Sequence, residues 1–275
     1  RYPVLNAFMA CRSRVSAIMG PLGSGKTYAA VQRILAQTIE QAPNAQGERP
    51  TRWLAVRNTY PDLMGTTVKD FGAIFEGLGT MKYGGLEPPT FKARFRLEDG
   101  TLVKADVIFL ALDRDDAVRK LRGYQLTGIW LNESKELVKS IVDMADLRHG
   151  RYPSMADGGV RPTWHGMLGD TNAPDEDHWY YQIAEEVRPR GWEFFRQPGG
   201  VLPGKKPGEW RANPKAENLE NLPTEYYRQG LEGKDPDWVR VMLANEYGFV
   251  VEGKPVHPEY VDSVHCTSEP IEPDP

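Results

Sequence analysis

Short apolar runs alternate with segments of helical periodicity along much of this chain. Residues 15–19 and 53–56 are apolar runs of strand length. From Lys26 onward, apolar residues recur every three or four positions until Pro43 ends the predicted helix, and a polar loop follows over 43–51. Strands that alternate with helices in this way are typical of an α/β fold with a mostly parallel sheet.

Residues 91–112 depart from the parallel pattern. Apolar and polar residues alternate over 91–97, Asp99-Gly100 follows, and 102–112 is again apolar. An Asp-Gly pair between two such runs indicates an antiparallel hairpin, which we expect at one edge of the sheet. The remaining predicted elements are strands over 127–131 and 164–168 and helices over 68–78 (closed by Gly79), 137–144, 178–187, 224–231 and 236–247.

The composition is that of an ordinary globular protein, because 40% of the 275 residues are hydrophobic and 26% are charged. The longest apolar run, near 107–112, is far shorter than the roughly 20 residues that cross a bilayer, so we expect no membrane association. Cys11 and Cys266 lie at opposite ends of the chain, which predicts a reducing compartment without a disulfide framework. The histidines show no metal-finger spacing, which makes a zinc site improbable.

The strongest chemical signal is Gly20-Pro-Leu-Gly-Ser-Gly-Lys-Thr27, which fits the phosphate-binding motif G-x-x-x-x-G-K-[ST]. A predicted strand precedes it and a predicted helix follows, so glycine-rich backbone and a helix N-terminus can face a phosphate group. Lys26 should reach the β- and γ-phosphates of ATP, and Thr27 should bind Mg²⁺. The alternative is a chance glycine loop before a helix. The predicted nucleotide-binding residues are Gly20, Pro21, Leu22, Gly23, Ser24, Gly25, Lys26 and Thr27.

A carboxylate is expected at the end of a neighbouring strand, and Ile129-Trp-Leu-Asn-Glu133 is the candidate. We predict that Glu133 orients and activates the attacking water. Asn132 is predicted to hold the metal, or a metal-bound water, through its amide oxygen. The usual pair is Asp-Glu, so the missing negative charge at position 132 should weaken the attraction for Mg²⁺. The alternative is a strand that simply ends in polar residues.

Several segments, in this order, resemble the large terminase subunits, the ATP-driven DNA-packaging motors of tailed bacteriophages. They are the 20–27 loop, Asn58-Thr-Tyr-Pro-Asp-Leu63, Leu121-Arg-Gly-Tyr124, Ile129–Glu133, Gly169-Asp-Thr-Asn-Ala-Pro174, and a stretch over 237–258 that resembles the lead into that family's nuclease domain. The resemblance implies a P-loop NTPase fold of the ASCE class, with a mostly parallel sheet flanked by helices, an added hairpin and a small C-terminal lid.

The resemblance also implies roles for single residues. Thr171-Asn172 matches the family's stretch that senses the γ-phosphate, a role that an amide group can perform because it both donates and accepts. A turn that merely ends the strand is the alternative. Arg122 matches the arginine that a neighbouring subunit inserts toward the γ-phosphate, and Arg119 is the second candidate. A solvated basic loop over 114–122 is the alternative there.

No adenine-binding segment is recognisable; Pro3 or Phe8 could cover the base, although aromatic residues near a strand are more often core. We divide the chain into an ATPase core (1–212), a lid or linker subdomain (213–255) and an acidic, Pro-rich tail (256–275). The tail leads toward a nuclease domain that we expect to be absent, so no nuclease activity is predicted for this chain.

Charge does not exclude a DNA partner. The formal charge is −4, but the tail holds five carboxylates and no Lys or Arg, which leaves 34 basic against 33 acidic residues in the remainder. Residues 188–215 hold seven Lys or Arg, with interleaved aromatics, in a predicted Pro- and Gly-rich excursion. This basic segment either contacts the DNA backbone or is a solvated loop with its aromatics packed inward.

The resemblance implies a motor ATPase that drives viral double-stranded DNA into a procapsid, in the host cytoplasm, with ATP and Mg²⁺ as cofactors. The implied partners are the portal, the small terminase subunit and further copies of the chain in a ring. Two alternatives stay open. One is a P-loop transferase, and the other is an ATP-binding docking module of the packaging machine with little hydrolysis, which Asn132 favours.

Overall fold

The computed structural model describes residues 2–85, 87–113, 118–206 and 208–248, and within them one large sheet organises the chain. Its strands are β1 (Val15–Met19), β2 (Glu48–Arg57), β3 (Gly79–Lys82), β4 (Thr90–Arg96), β5 (Leu102–Ala111), β6 (Gly128–Asn132), β7 (Gly166–Thr171) and β8 (Trp192–Arg196). They lie in the order β3-β4-β5-β2-β6-β7-β1-β8. The predicted tail, the end of the predicted lid and Cys266 lie outside the described residues.

Six of these strands, from β5 to β8 in the sheet, run parallel, while β3 and β4 are antiparallel additions at one edge. The β4–β5 pair is the predicted hairpin, with Phe95 opposite Val103 next to the Asp99-Gly100 turn. The predicted α/β class, the mostly parallel sheet and the hairpin are therefore confirmed, but the hairpin lies one strand in from the edge, because β3 pairs with the outer side of β4.

Helices cover both faces of the sheet. They are α1 (Pro3–Ala10), α2 (Lys26–Glu40), α3 (Tyr60–Asp62), α4 (Val68–Ile74), α5 (Val118–Leu121), α6 (Lys139–Asp146), α7 (Trp179–Tyr181), α8 (Tyr226–Gln229) and α9 (Pro236–Trp238). The π-helical turns Leu63–Thr67, Gln182–Val187 and Val239–Leu243 continue α3, α7 and α9, and 3₁₀ turns occupy Ser134–Glu136 and Leu219–Asn221. Among the described helices, none has the length and apolarity to cross a membrane.

Successive strand residues face opposite layers of the core, as a doubly covered parallel sheet requires. In β2, Trp53 packs in the layer beneath α1, α2 and α4, whereas Leu54 packs in the layer beneath α5 and α6. In β6, Trp130 packs in the same layer as Trp53, and Ile129 packs in the same layer as Leu54. All four are fully buried. Apolar surface on both faces explains why these strands appear as continuous apolar runs in the sequence.

Several predicted boundaries are wrong, and strand pairing explains two of them. The predicted loop over 43–51 gives way to β2 from Glu48, because Glu48 lies opposite Leu102 in β5. The helix predicted to close at Gly79 ends at Ile74 instead, and Gly79 opens β3. A Cβ at Gly79 would lie 2.3 Å from the carbonyl oxygen of Lys92 in β4, so this pairing needs glycine.

The excursion predicted over 197–223 contains a small antiparallel sheet, formed by β9 (Val201–Pro203) and β10 (Trp210–Ala212). Val201 packs with Tyr227, Val239 and Leu243 in a core of its own, with Trp210 at its side. These packing contacts join the hairpin to the predicted lid rather than to the main sheet. The boundary at residue 212 stays a prediction.

Candidate nucleotide site

The predicted catalytic segments converge at one edge of the sheet. β7 lies between β6 and β1, and all three strands run parallel. The carboxyl-terminal ends of these strands therefore bring the 20–27 loop, Glu133 and Asn172 together along the edge of the sheet where the parallel strands end. Open parallel sheets bind their ligands at this edge, beyond the ends of the strands.

The 20–27 loop has the backbone of a phosphate-binding loop. Gly23 and Gly25 have φ angles of +75° and +81°, a left-handed conformation that side chains rarely adopt. At Gly20 a Cβ would lie 1.9 Å from Oε1 of Gln197, so a larger residue would displace the Gln197 side chain. Gly25 begins α2 without a side-chain cap. The first N–H groups of this helix are therefore available to an anion.

Side chains from distant segments, together with Lys26 of the loop itself, donate hydrogen bonds to the carbonyl groups of this loop. The Asn172 amide donates to the Gly20 carbonyl (2.8 Å), Lys26 to Pro21 (3.3 Å), Tyr227 to Leu22 (2.8 Å), Asn218 to Gly23 (2.7 Å) and Gln197 to Ser24 (3.0 Å). Because the carbonyl oxygens are bound in this way, the loop is rigid before any ligand arrives, as electrostatic preorganisation requires. The predicted lid supplies two of these donors, Asn218 and Tyr227.

A cleft of about 520 Å³ opens beside the loop, which is a typical volume for a ligand site. Its lining includes Lys26, Thr27 and Gln32 of α2, Ile74 of α4 and Asn218 of the predicted lid. The cleft is large enough for a nucleotide whose phosphates occupy the loop. It brings together α2, α4 and the lid, three elements far apart in sequence.

Thr27, the predicted metal ligand, makes a contact that the sequence does not suggest. Its hydroxyl donates to Oδ2 of Asp170 over 2.7 Å. Asp170 is fully buried in β7, and its Oδ1 accepts from the indole N–H of Trp130 over 2.6 Å. Burial, followed by the charge of Glu133, raises the pKa of Asp170, while the hydrogen bonds from Thr27 and Trp130 act in the opposite direction.

Asn132 lies directly opposite Asp170 in the β6–β7 pairing. Its amide nitrogen donates to the Asp170 carboxylate, at 3.1 Å from Oδ2, and its amide oxygen accepts from the Thr67 hydroxyl over 2.6 Å. The atom predicted to face the metal is therefore engaged by Thr67. The predicted role of Asn132 as a metal ligand stays a prediction.

Glu133 is the first residue after β6 and has φ +48° and ψ +57°. A non-glycine residue in this left-handed region costs on the order of 1–3 kcal/mol, a strain that is common at functional sites. The turn aims its side chain toward β7, where Oε2 accepts from the backbone N–H of Asn172 over 3.3 Å. The role of Glu133 in orienting and activating the attacking water stays a prediction.

Lys135, which the sequence did not single out, adds a second cation beside Lys26. Its ammonium group donates to the Ala173 carbonyl over 3.2 Å. Burial lowers the pKa of Lys135, and the charge of Lys26 acts in the same direction, while Glu133 and Glu136 oppose the shift. The site thus combines two lysines with the carboxylates of Glu133 and Asp170, and Asp70 also lines the cleft. The described residues hold no group of three or more His, Cys, Asp or Glu suited to bind a metal without further ligands.

The two arginine candidates lie apart from the cleft. Arg119 belongs to α5, which packs against α6, and Arg122 follows that helix; both side chains are exposed. The backbone carbonyl of Arg122 accepts from Arg148 over 2.9 Å, which anchors the turn while leaving the guanidinium in solvent. Neither arginine lines the cleft of this copy. Residues 114–117 of the same basic loop lie outside the described chain.

The N-terminal aromatic residue Phe8 is a core residue and does not cover the base. It is fully buried, its ring packs edge-on against Phe195 at 5.7 Å, and the Arg33 guanidinium lies 5.2 Å from its centre. Pro3 is exposed at the start of α1.

The basic segment 188–215 is not a loop throughout, because β8 runs through it. Phe194 packs against Tyr180 and Phe195 against Phe8, so these aromatics face inward. The basic side chains are all exposed, namely Arg188, Arg190, Arg196, Lys205, Lys206, Arg211 and Lys215. An inward aromatic face fits the solvated alternative, and contact with DNA stays a prediction.

Solved structures of phage large terminases share this architecture. The chain matches the large terminase of a thermophilic bacteriophage in complex with ADP, with a TM-score of 0.62 and 12% identity over 89% of this chain and 52% of that one. It matches the large terminase ATPase domain of Thermus phage P74-26 with a TM-score of 0.51 and 13% identity, over 89% of this chain and 93% of that one. It matches the HK97 bacteriophage large terminase with a TM-score of 0.50 and 12% identity, over 90% of this chain and 55% of that one.

This chain therefore spans about half the length of the thermophilic bacteriophage terminase chains that it matches. No protein-family model and no curated protein matches it in sequence. What the solved structures share with it is the overall fold. The chain has the P-loop ATPase fold of phage large terminase ATPase domains.

Proposed function

We propose that this chain is an ATP-hydrolysing motor domain that drives viral double-stranded DNA into a procapsid. The observation that carries the proposal is the convergence of the 20–27 loop, Glu133 and Asn172 at the carboxyl-terminal ends of parallel strands, in a chain whose fold is similar to that of solved large terminases. Structures of the thermophilic bacteriophage large terminase in complex with ADP and with ATP-γ-S support nucleotide binding at such a fold.

In this proposal the chain binds ATP with Mg²⁺, which would neutralise charge on the phosphates. The loop N–H groups and Lys26 hold the phosphate groups, and the Thr27 hydroxyl is directed toward the metal. Glu133 orients the attacking water and accepts its proton. Asn172 contacts both the Gly20 carbonyl and Glu133, through its side chain and its backbone, so it can pass the phosphate state to the loop.

The proposed partners are viral DNA, the portal of a procapsid, the small terminase subunit and neighbouring copies of the chain in a ring. The exposed Arg122 suits a role in a neighbouring subunit's site, because it does not line its own cleft. Residues 213–255 act as the lid, and the host cytoplasm is the proposed location.

Hydrolysis tests the proposal directly. The purified chain should release phosphate from ATP, and Lys26→Ala or Glu133→Gln should reduce the rate by at least about a hundredfold, because each removes a charged group from the transition state. Lys82→Ala, on the exposed edge strand β3, serves as the matched control and should leave turnover unchanged. Equal turnover in wild type and Glu133→Gln would refute the role of Glu133.

One observation favours a second candidate, a docking module that binds ATP with little hydrolysis. Asn132 replaces an acidic residue, and its oxygen is engaged by Thr67. Tight nucleotide binding without measurable phosphate release, even with assembled procapsids, would favour that candidate. A phosphorylated acceptor product would instead support a P-loop transferase.

A further inference from the structure

We propose that Asp170 supplies the carboxylate of the Mg²⁺ site, so that the acidic metal-binding position has moved from β6 to the adjacent strand β7. Asp170 would hold the metal directly or through a metal-bound water. The inference rests on the proposed function, since it concerns the metal that accompanies ATP. The sequence predicts Asn132 as the metal ligand of this site, whereas this proposal assigns that role to Asp170.

Strand register makes the exchange possible. Asn132 and Asp170 are directly opposite each other in the parallel pairing of β6 with β7, and Asp170 also lies opposite Ile18 of β1. β7 stands between β6 and the strand that leads into the 20–27 loop. A carboxylate at position 170 is therefore one strand closer to Thr27 than a carboxylate at position 132 would be.

The hydrogen bonds show which of the two residues faces the phosphate loop. The Thr27 hydroxyl, predicted as a metal ligand, donates to Oδ2 of Asp170 over 2.7 Å. Asn132 contacts the same carboxylate from the other side, through its amide nitrogen. Its oxygen is bound to Thr67 in the π-helical turn before α4. Asn132 is thus a positioning residue, and an asparagine suits this place because a second carboxylate would repel the first.

The charge of Asp170 calls for a cation. The side chain is fully buried, and its hydrogen-bond partners among the described residues are the neutral groups of Thr27, Trp130 and Asn132. The charge of Lys26 partly offsets this burial, because it favours the ionised form of Asp170. A buried carboxylate is costly unless a positive charge compensates it. Mg²⁺ is a hard cation that prefers anionic oxygen and is commonly held by one carboxylate together with phosphate oxygens. Thr27, Asp170 and a bound nucleotide form such a donor set.

The decisive experiment measures metal binding without turnover. Mn²⁺ replaces Mg²⁺, and electron paramagnetic resonance counts free Mn²⁺ in titrations of the protein with saturating ADP. We expect Asp170→Asn to weaken Mn²⁺ binding by at least about tenfold, the lower range for losing even an outer-shell partner of a metal. Metal-free ADP should still bind within about threefold of wild type, because the loop and Lys26 are untouched. Asp143→Asn, an exposed carboxylate on α6, is the control and should bind Mn²⁺ as wild type does.

A charge swap provides the second arm. In Asn132→Asp/Asp170→Asn the carboxylate returns to β6 at the opposite position, and we expect part of the lost Mn²⁺ affinity to return. Unchanged Mn²⁺ affinity in Asp170→Asn, with circular dichroism and ADP binding intact, would overturn the proposal. A wild-type chain that binds no ADP at all would instead contradict the proposed function.

A measurement on a chain that retains Asp170 covers the case in which Asp170→Asn does not fold. The chain is prepared with ¹³C in the aspartate carboxyl groups, and electron–nuclear double resonance is recorded on its Mn²⁺–ADP complex. A ¹³C coupling to Mn²⁺ is expected in the Asp70→Asn variant, which removes the other aspartate that lines the cleft, because the proposal places the Asp170 carboxylate within a water of the metal. A spectrum without that coupling would overturn the assignment.

Discussion

At the scale of the single residue, the site accepts local costs that an ordinary strand end would avoid. Glu133 adopts a left-handed backbone, and Asp170 is a carboxylate without solvent contact. Both conditions destabilise the folded chain, and the proposed function gives both carboxylates a role in phosphate chemistry. The surrounding hydrogen bonds from Asn172, Trp130 and Asn132 hold these two side chains in place.

A histidine pair leads to a prediction on pH at this same scale. His165 Nδ1 lies 2.9 Å from His149 Nδ1, and His149 Nε2 lies 3.2 Å from Asp146, which also contacts Arg14. Burial, then the charges of His149 and Arg14, lowers the pKa of His165 below 6.5. The neutral form is therefore favoured in the folded state. The contribution of neutral His165 to the free energy of unfolding is present above pH 6.5, the ordinary pKa. It is lost as the pH falls through the lower pKa that His165 has in the folded state.

Urea unfolding at pH 7.5 and at pH 5.5 measures this effect. We expect wild type to lose more unfolding free energy between the two values than His165→Gln, whose amide does not titrate. Lys82→Gln, on the exposed strand β3, controls for a change in surface charge. Equal losses in wild type and His165→Gln would show that the pair does not govern acid sensitivity.

At the scale of elements, the lid and the phosphate loop form one structural unit. Tyr227 of α8 is buried and donates to the Leu22 carbonyl, Asn218 donates to the Gly23 carbonyl, and the Leu22 N–H donates to Met242 in the π-helical turn after α9. The loop is thus held from its outer side by residues about 200 positions later in the chain. Movement of the lid would therefore change the shape of the loop.

Tyr227→Phe tests that coupling, because it removes the hydroxyl and leaves the ring. The buried Leu22 carbonyl loses its donor, so we expect a loss of about 1 kcal/mol in unfolding free energy. We also expect weaker binding of a fluorescent ADP analogue, since the loop is less rigid. Tyr60→Phe, which changes an exposed tyrosine, is the matched control. Full nucleotide affinity in Tyr227→Phe would mean that the lid stabilises the fold without shaping the site.

At the scale of the whole molecule, the described lining of the cleft lacks the arginine that the resemblance suggests for the γ-phosphate. This lining contains Lys26 but neither Arg119 nor Arg122. An exposed arginine beside α5 fits a contribution to a neighbouring copy, as the proposed ring requires. The proposal therefore assigns this part of the chemistry to the assembly rather than to the single chain.

Arg122→Ala should leave ADP binding unchanged in the isolated chain. It should reduce procapsid-stimulated hydrolysis by about a thousandfold or more, the usual range for an arginine supplied by a partner. Arg119→Ala compares the two candidates, and Arg96→Ala on the hairpin strand β4 is the control. Undiminished stimulated hydrolysis in Arg122→Ala would show that the assignment is wrong.

Much of this organisation follows from the sequence because its signals are local. The loop that carries the 20–27 motif, the apolar strands β1 and β6, helix α2 and the hairpin are each specified by residues close together in the chain, and the structure confirms these elements. The predicted binding role of the motif stays a prediction. Strand β8 was missed because basic residues surround it, and its stability comes from pairing with β1 and from the contact of Phe195 with Phe8. Pairing energy of this kind has no local signature.

The features of the site divide in the same way, into those set by neighbouring residues and those set by contacts between distant ones. The sequence by itself determined a phosphate loop, its glycines and the carboxylate Glu133, because their spacing is set by one loop and one strand end. Only the tertiary structure brought Asp170 to Thr27 and Tyr227 to Leu22, since strand order and lid packing are decided by contacts between distant residues. Asp170 is a polar residue inside the largely apolar strand β7, and this is the feature of the sequence that points to it. Only the order of the strands shows that its carboxylate faces Thr27.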